Sequence, residues 1–234
     1  MFTVIVSTVA SYALGWLLGV PALVPALNAA VAWWMMAAWL KRGDVRRAIA
    51  IMLVWALTMG VTSTVMAAAG WSRFADGRDL FLRSTYRDEM IHWVRTGRGP
   101  ESQPSVFVPR HLGYAAVFSA ASIATAGIAS MPMGAVLMNQ MGEYVGAMTA
   151  QSAHPFASAL LGWHPWAVVR VIGFVMIGVV LSGPLLSRVR RTPFPLADHR
   201  RWLQVGVALL LLDLLLKWAL APAWARILRG VAGW

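Results

Sequence analysis

Long runs of apolar residues, separated by short polar segments, are the dominant pattern along the chain. A helix that crosses a bilayer needs about 20 apolar residues, and seven stretches approach or reach that length. The pattern predicts an all-α fold, a polytopic transmembrane helix bundle of about seven spans that forms a single membrane domain, residues 1–234. The predicted spans are residues 2–19, 26–40, 48–70, 112–130, 131–150, 165–187 and 202–220.

The first two spans come from one apolar stretch, residues 2–40, which is too long for one straight span. As a straight helix it would measure about 60 Å, roughly twice the thickness of the hydrocarbon core. Pro21 and Pro25 lie near its midpoint, and they predict a tight turn between two helices. The alternative is one long kinked helix, which would reduce the number of spans to six.

A polar segment, residues 71–110, interrupts this pattern with acidic and basic residues mixed together. Between about 76 and 94, apolar residues recur with imperfect helical spacing, which predicts an amphipathic helix on the surface of the bundle or membrane. Residues 151–164 are predicted to form a loop. The Trp and Arg residues of 222–234 are typical of a separate interfacial helix.

Composition supports a membrane protein, and the charge distribution predicts its orientation. Hydrophobic residues make up 59% of the chain and charged residues only 12%, against about 25% charged in soluble domains. The net charge is +11, and much of it lies in loops 41–47 and 188–201. Basic loops face the cytoplasm, so we expect an inner-membrane protein with segment 71–110 extracytoplasmic. These loops predict anionic lipid headgroups as partners, whereas no motif indicates nucleic acid.

Four charged residues interrupt the predicted spans, and the predicted topology puts all of them in the outer half of the bundle. Such charges are costly in a bilayer and usually functional. We therefore predict an outward polar pocket for a substrate, with Glu143 facing Arg170. The alternative is structural ion pairs, for instance Asp213 with Lys217 at i, i+4. The candidate substrate-binding residues are Asn139, Gln140, Glu143, Tyr144, Arg170, Asp213 and Lys217.

A Glu-x-x-His sequence, Glu89 to His92, puts a carboxylate and an imidazole on one helix face. Carboxylate di-metal bundles use this spacing, but they need two copies and further Glu residues. The other candidate ligands on the same predicted side are His111, His154 and His164. Together these residues predict a divalent metal cofactor, zinc or iron. The chain has no cysteine, which excludes thiolate ligands and disulfides.

Three functions remain open at this point. The first is a permease or substrate-binding subunit that binds or translocates a small polar or ionic substrate in the outer pocket. The second is a non-catalytic subunit or assembly factor of a larger membrane complex, indicated by small-residue helix faces. The third is an extracytoplasm-facing metalloenzyme that uses Glu89 and His92. The sequence contains no P-loop and no HExxH or G-x-S-x-G motif.

Overall fold

The computed structural model of the chain describes residues 1–20, 23–70, 83–191 and 193–234. These residues form helices and connecting turns, without a strand among them, so the all-α prediction is confirmed. The α-helices are α1 (Phe2–Leu17), α2 (Leu23–Lys41), α3 (Val45–Ala68), α4 (Arg83–Thr96), α5 (Pro104–Thr125), α6 (Ser130–Ala150), α7 (Pro155–Gly162), α8 (Pro165–Arg190) and α9 (Arg200–Ala232). Short 3-10 helices precede α5 and α9, at Pro100–Ser102 and Leu196–His199.

Four helical stretches in the described part of the chain are long and apolar enough to cross a membrane. They are Leu23–Lys41, Val45–Ala68, Pro165–Val189 and Leu196–Ala232. Helix α1 is apolar but shorter, with 16 residues. These stretches indicate a membrane protein, whereas the predicted number of seven spans is not confirmed.

The first apolar stretch forms two helices, α1 and α2, and not one kinked helix. Pro21 lies outside the described residues. Pro25 lies in the first turn of α2, where a missing backbone donor costs no helical hydrogen bond. The two helices pack closely because Gly15 has no side chain. A Cβ atom at this position would collide with Val24.

Helix α5 begins at Pro104, so its first turns lie within the polar segment 71–110 and before the predicted span 112–130. Proline favours the first position of a helix, where its missing N–H is not needed. The turn after α5 also comes earlier than predicted, at residues 126–129, where Ala126 and Gly127 have positive φ angles. Helix α4 agrees with the predicted amphipathic helix, although residues 71–82 lie outside the described part of the chain.

Two further predictions about polar segments are wrong. Residues 151–164, predicted as a loop, contain α7, which begins at Pro155. Residues 222–234 do not form a separate interfacial helix, because α9 continues through Pro222. This part of α9 packs against α4 and α7, and the packing offsets the hydrogen bond that Pro222 cannot make. The residues it buries recur at helical spacing: Ala221, Ala225, Leu228 and Ala232.

Helices α3 and α6 make the most extensive contact between any two described elements. Two glycines of α6, Gly142 and Gly146, lie one turn apart on the contact face. A Cβ atom at Gly146 would lie 2.5 Å from the carbonyl oxygen of Thr64. Small residues at this spacing let two helix backbones approach each other, as in many membrane proteins.

The two basic loops lie at the same end of the bundle. Lys41, at the end of α2, shares a small groove with Ser187, which directly precedes the second basic loop, and with Phe194, which lies in that loop. Helix α4 lies at the other end of the bundle. It packs on the C-terminal half of α6, and this half of α6 runs beside the C-terminal end of α3. The fold thus separates the basic loops from α4 by about the length of α3.

Candidate functional site

A cavity of about 180 Å³ lies between the helices. Its wall takes residues from α2, α3, α4, α5, α6, α8 and α9. For comparison, an apolar cavity of about 150 Å³ holds benzene. Arg110 and Tyr114 line the cavity and are exposed, so the cavity reaches the protein surface beside them. The cavity is therefore large enough for a molecule with one small ring or a short alkyl chain.

Most of the cavity wall is apolar and made of methionine and aromatic side chains. Phe118 and Phe174 pack edge to face, with their ring centroids 4.9 Å apart. Methionine side chains are flexible and polarisable, so they adapt to ligands of different shape. The methionines of the wall are Met36, Met52, Met59, Met131, Met138 and Met141. The larger aromatic residues are Trp55, Phe107, Phe118, Trp163 and Phe174.

The polar residues of the cavity are concentrated where α4 and the start of α5 meet α8 and α9. We call this set the polar mouth. It consists of Tyr86, Glu101, Arg110, His111, Tyr114, Arg170 and Lys217. Hydrogen bonds and ion pairs tie most of these side chains to one another or to residues directly behind the wall. The mouth thus forms a polar end on a mostly apolar cavity.

Asp213 holds two side chains of the polar mouth in position. The guanidinium of Arg170 donates two hydrogen bonds to the Asp213 carboxylate, both 3.0 Å long. Nδ1 of His111 lies 3.0 Å from Oδ2 of the same carboxylate. Asp213 itself is fully buried. The predicted contact of Arg170 with Glu143 is therefore wrong, since Arg170 is paired with Asp213.

Lys217 is paired with Glu101 and not with Asp213, so the predicted i, i+4 pair is also wrong. Nζ of Lys217 lies 2.6 Å from Oε1 of Glu101 and 4.8 Å from the centroid of the Phe107 ring. Burial alone would raise the pKa of Glu101, but the positive charges of Lys217 and Arg170 hold this pKa below its usual value. Glu101 is accordingly a carboxylate that compensates the charge of Lys217.

The residues predicted around Glu143 are divided between two places. Gln140 lines the cavity, whereas Asn139 and Glu143 do not. Asn139 accepts a hydrogen bond of 2.9 Å from the hydroxyl of Tyr12, which connects α6 to α1. Glu143 lies 3.5 Å from the guanidinium of Arg87, which connects α6 to α4. Both side chains therefore join helices beside the cavity.

Tyr144 belongs to a separate buried cluster with His164 and Trp166. The hydroxyl of Tyr144 lies 3.3 Å from Nε2 of His164, and the imidazole stacks on the Trp166 ring at 4.6 Å. Burial lowers the pKa of His164 to about 3. The imidazole is therefore neutral near pH 7. Neither Tyr144 nor His164 lines the cavity.

The predicted metal ligands do not come together as one group. Among the described residues, no set of three or more His, Asp and Glu side chains is placed to hold a metal ion. Glu89 lies 3.3 Å from Arg110, while His92 and His154 are exposed on the surface. His111 and His164 have the partners described above. The divalent metal cofactor stays a prediction.

Sequence reasoning missed four residues of the polar mouth: Tyr86, Glu101, Arg110 and Tyr114. Glu101 lies in a Gly- and Pro-rich connector, where an acidic residue carries no local signal of burial. Its partner Lys217 is 116 residues away, and no periodic pattern joins two such positions. A usable signal was charge compensation, because the buried charge of Lys217 requires an acidic partner once Asp213 is paired with Arg170.

Comparisons with known protein families, with curated proteins and with solved structures gave no match for this chain. The function of the protein is therefore inferred from the geometry and chemistry of the cavity. An apolar chamber with a fixed polar end can bind a molecule that has one polar group and one apolar part.

Proposed function

We propose that this chain is an integral membrane protein that binds or translocates a small amphipathic molecule, as a permease or a substrate-binding subunit. The observation that carries this proposal is the cavity, with its methionine and aromatic wall and its polar mouth. Small-molecule sites are typically apolar with a few placed polar groups. The proposed substrate is thus an amphipathic molecule, whereas the sequence predicted a small polar or ionic one.

We further propose that seven helices cross an inner membrane, with loops 41–47 and 188–201 in the cytoplasm. These helices are α1, α2, α3, α5, α6, α8 and α9. The basic charge of both loops at one end of the bundle supports this orientation. The guanidinium groups of Arg42 and Arg47 lie 4.7 Å from the Trp39 ring, an arrangement suited to anionic lipid headgroups. The polar mouth then faces the extracytoplasmic side.

The proposed binding can be tested by filling the cavity. Gly134 lines the cavity, and a Cβ atom there would meet only Phe118, at 3.6 Å. Gly134→Leu therefore puts an alkyl group into the cavity without a backbone collision. The matched control is Gly113→Leu, at an exposed position where a Cβ atom has no neighbour within 4 Å.

Native mass spectrometry of the gently purified protein provides the measurement. We expect the wild type and Gly113→Leu to carry a co-purified molecule of a few hundred daltons or less. Gly134→Leu should lose it while keeping the same unfolding temperature within a few degrees. Equal occupancy in all three proteins would contradict binding in this cavity.

A further inference from the structure

The cavity reaches the protein surface on the side of the bundle. Tyr114 lines the cavity and is 41% exposed. It lies at the midpoint of α5, which puts it about 15 Å from either end of that helix. Leu112 and Val117, which lie close to it on α5, are apolar and more than half exposed. The opening beside Tyr114 therefore lies on an apolar outer surface of the bundle.

The position of this opening determines what it faces. In the arrangement proposed above, α5 crosses the membrane, and its 22 residues measure about 33 Å, close to the hydrocarbon core of about 30 Å. An apolar outer surface halfway along such a helix is in contact with lipid tails. The cavity then opens toward the lipid, and a ligand can enter it directly from the membrane.

The cavity is long and narrow. The α8 residues of its wall extend from Ala167 to Ser182, which corresponds to roughly 22 Å along that helix. The α5 residues of its wall extend from Phe107 to Phe118, or roughly 16 Å. A volume of about 180 Å³ distributed over such a length suits one extended chain better than a ring system. The flexible methionines of the wall can adapt to the bends of that chain.

Arg110 lies at the opening and has N–H donors beyond those that it uses. It lines the cavity one helical turn before Tyr114, and its side chain is 47% exposed. One guanidinium nitrogen, Nη1, donates a hydrogen bond of 3.3 Å to the partly exposed Glu89. A guanidinium has five N–H donors, and a carboxylate can accept two of them at once. The edge of the cavity therefore suits a carboxylate headgroup.

We infer that the cavity opens through the side of the bundle into the membrane and takes the alkyl chain of a single-chain amphiphile, whose carboxylate headgroup is bound at the opening by Arg110. This inference rests on the proposed function and on the proposed crossing of the membrane by α5, since it names the ligand class and the route of entry for the same cavity. Such a molecule dissolves in the lipid and reaches the opening by lateral diffusion. The long side chain of Arg110 can extend toward the membrane surface, where the headgroup lies.

The route of entry can be tested with nitroxide spin labels on single cysteines, in the full-length protein in lipid nanodiscs. The labelled variants are Tyr114→Cys at the opening, Val117→Cys on the outer surface of α5, and Arg98→Cys, an exposed position at the α4 end. Oxygen concentrates in the hydrocarbon, whereas a nickel chelate stays in water. We expect oxygen to collide more often than the chelate with the labels at 114 and 117, and the reverse at 98.

The ligand class can be tested with three photoreactive probes that carry a diazirine near the middle of the same alkyl chain. They are a long-chain carboxylate, its methyl ester, and a phospholipid that contains this chain. Mass spectrometry of the digested protein locates the adducts, and cavity binding labels residues of the wall such as Phe118, Met131 and Met138. We expect half-maximal labelling at about a tenfold lower concentration of the carboxylate than of the ester, because only the carboxylate makes a charge-assisted hydrogen bond.

The variant Arg110→Gln should label equally well with the carboxylate and with the ester, because it lacks the guanidinium. The matched control is Arg98→Gln, which removes an exposed arginine that does not line the cavity, and it should keep the tenfold preference. Gly134→Leu should lose the adducts in the wall with every probe. If Arg110→Gln fails to fold, the comparison of carboxylate and ester on the wild type still decides the question.

The possible results distinguish this inference from the function on which it rests. More frequent collisions of the chelate than of oxygen with the label at 114 would overturn entry from the membrane, and equal labelling of the wild type by carboxylate and ester would overturn the role of Arg110. Strongest labelling by the phospholipid would overturn the single-chain ligand. If no probe labels the cavity wall, the inference is wrong, while a co-purified molecule that Gly134→Leu loses would still support the proposed function.

Discussion

His164 is a buried side chain whose pKa differs between the folded and the unfolded protein. Its imidazole is 1% exposed, stacks on Trp166 and contacts the hydroxyl of Tyr144. Burial lowers its pKa to about 3 from an ordinary value of 6.5. In the unfolded chain this side chain therefore binds a proton at a pH where the folded protein does not. Stability must fall as the pH drops below 6.5 toward 3.

We predict that the free energy of unfolding falls by about 2 kcal/mol between pH 6.5 and pH 5 on account of His164 alone, since each pH unit is worth about 1.4 kcal/mol. The variant His164→Phe should lack this component of the pH dependence. Thermal unfolding in mild detergent at pH 5, 6 and 7 measures the difference in slope between the two proteins. Parallel pH profiles would contradict a neutral buried imidazole.

The buried pair of Lys217 and Glu101 is expected to contribute to stability. The two side chains are 6% and 13% exposed, so removing one partner leaves a buried charge. We expect Glu101→Gln to destabilise the protein by about 3 kcal/mol, while the double variant with Lys217→Met recovers most of that loss. Thermal unfolding of the two variants beside the wild type measures this.

The pair of Arg110 and Glu89 provides the control, because its side chains are 47% and 37% exposed. Glu89→Gln should cost less than about 1 kcal/mol. If Glu101→Gln and Glu89→Gln lower the free energy of unfolding by the same amount, burial does not make the pair of Lys217 and Glu101 more important for stability than the exposed pair.

Individual ion pairs were the part of the site that sequence predicted least well. The sequence identified Arg170, Asp213 and Lys217 as special, because charges in apolar helices are rare. Their partners could not be identified, since His111 and Glu101 come from distant parts of the chain. Pairing depends on which helix faces meet, and a periodic pattern in one helix does not determine that.

The close contact of helices α3 and α6 depends on glycine. A Cβ atom at Gly146 would lie 2.5 Å from Thr64 O and 2.8 Å from Ala68 N, which are backbone atoms that cannot rotate away. We predict that Gly146→Ala destabilises the protein by about 1–3 kcal/mol by forcing the two helices apart.

The comparison for this prediction is Gly113→Ala, where a Cβ atom meets nothing within 4 Å. There alanine should leave stability unchanged or raise it, because alanine is the better helix former. Chemical unfolding of both variants beside the wild type decides the question. A neutral effect of Gly146→Ala would mean that α3 and α6 can separate without cost.

Most long helices were predictable from apolar runs, whereas the polar ends were not. The helix starts at Pro104 and Pro155 were missed because a proline in a polar stretch indicates a turn as readily as a first helical position. Pro222 was taken as the end of a span for the same reason. It lies inside α9 because the following turns pack on α4 and α7, a tertiary effect that overrides the local signal.

The proposed orientation of the protein in the membrane can be tested with single cysteines, since the chain contains none. Arg42→Cys and Arg200→Cys lie at the basic end, and Arg98→Cys and His154→Cys lie at the other. All four positions are exposed. A membrane-impermeant maleimide applied to intact cells should label the second pair and leave the first pair unlabelled until the membrane is opened.

The basic loops alone predicted which positions share a side, because positive charge marks the cytoplasmic face irrespective of tertiary contacts. Labelling of one position from each pair in intact cells would contradict the arrangement of α1 to α9 proposed above. Labelling of only the basic end would keep the arrangement and reverse the orientation.

The position of α9 also has a consequence for biogenesis. It is synthesised after α8 and after the connector that contains Glu101, and it carries both Asp213 and Lys217, the partners of Arg170 and Glu101. Until α9 is synthesised, the charges of Arg170 and Glu101 remain uncompensated in the assembling bundle. A nascent chain that stops before residue 200 therefore contains two uncompensated charges, which proteases and chaperones that act on incomplete membrane proteins can recognise.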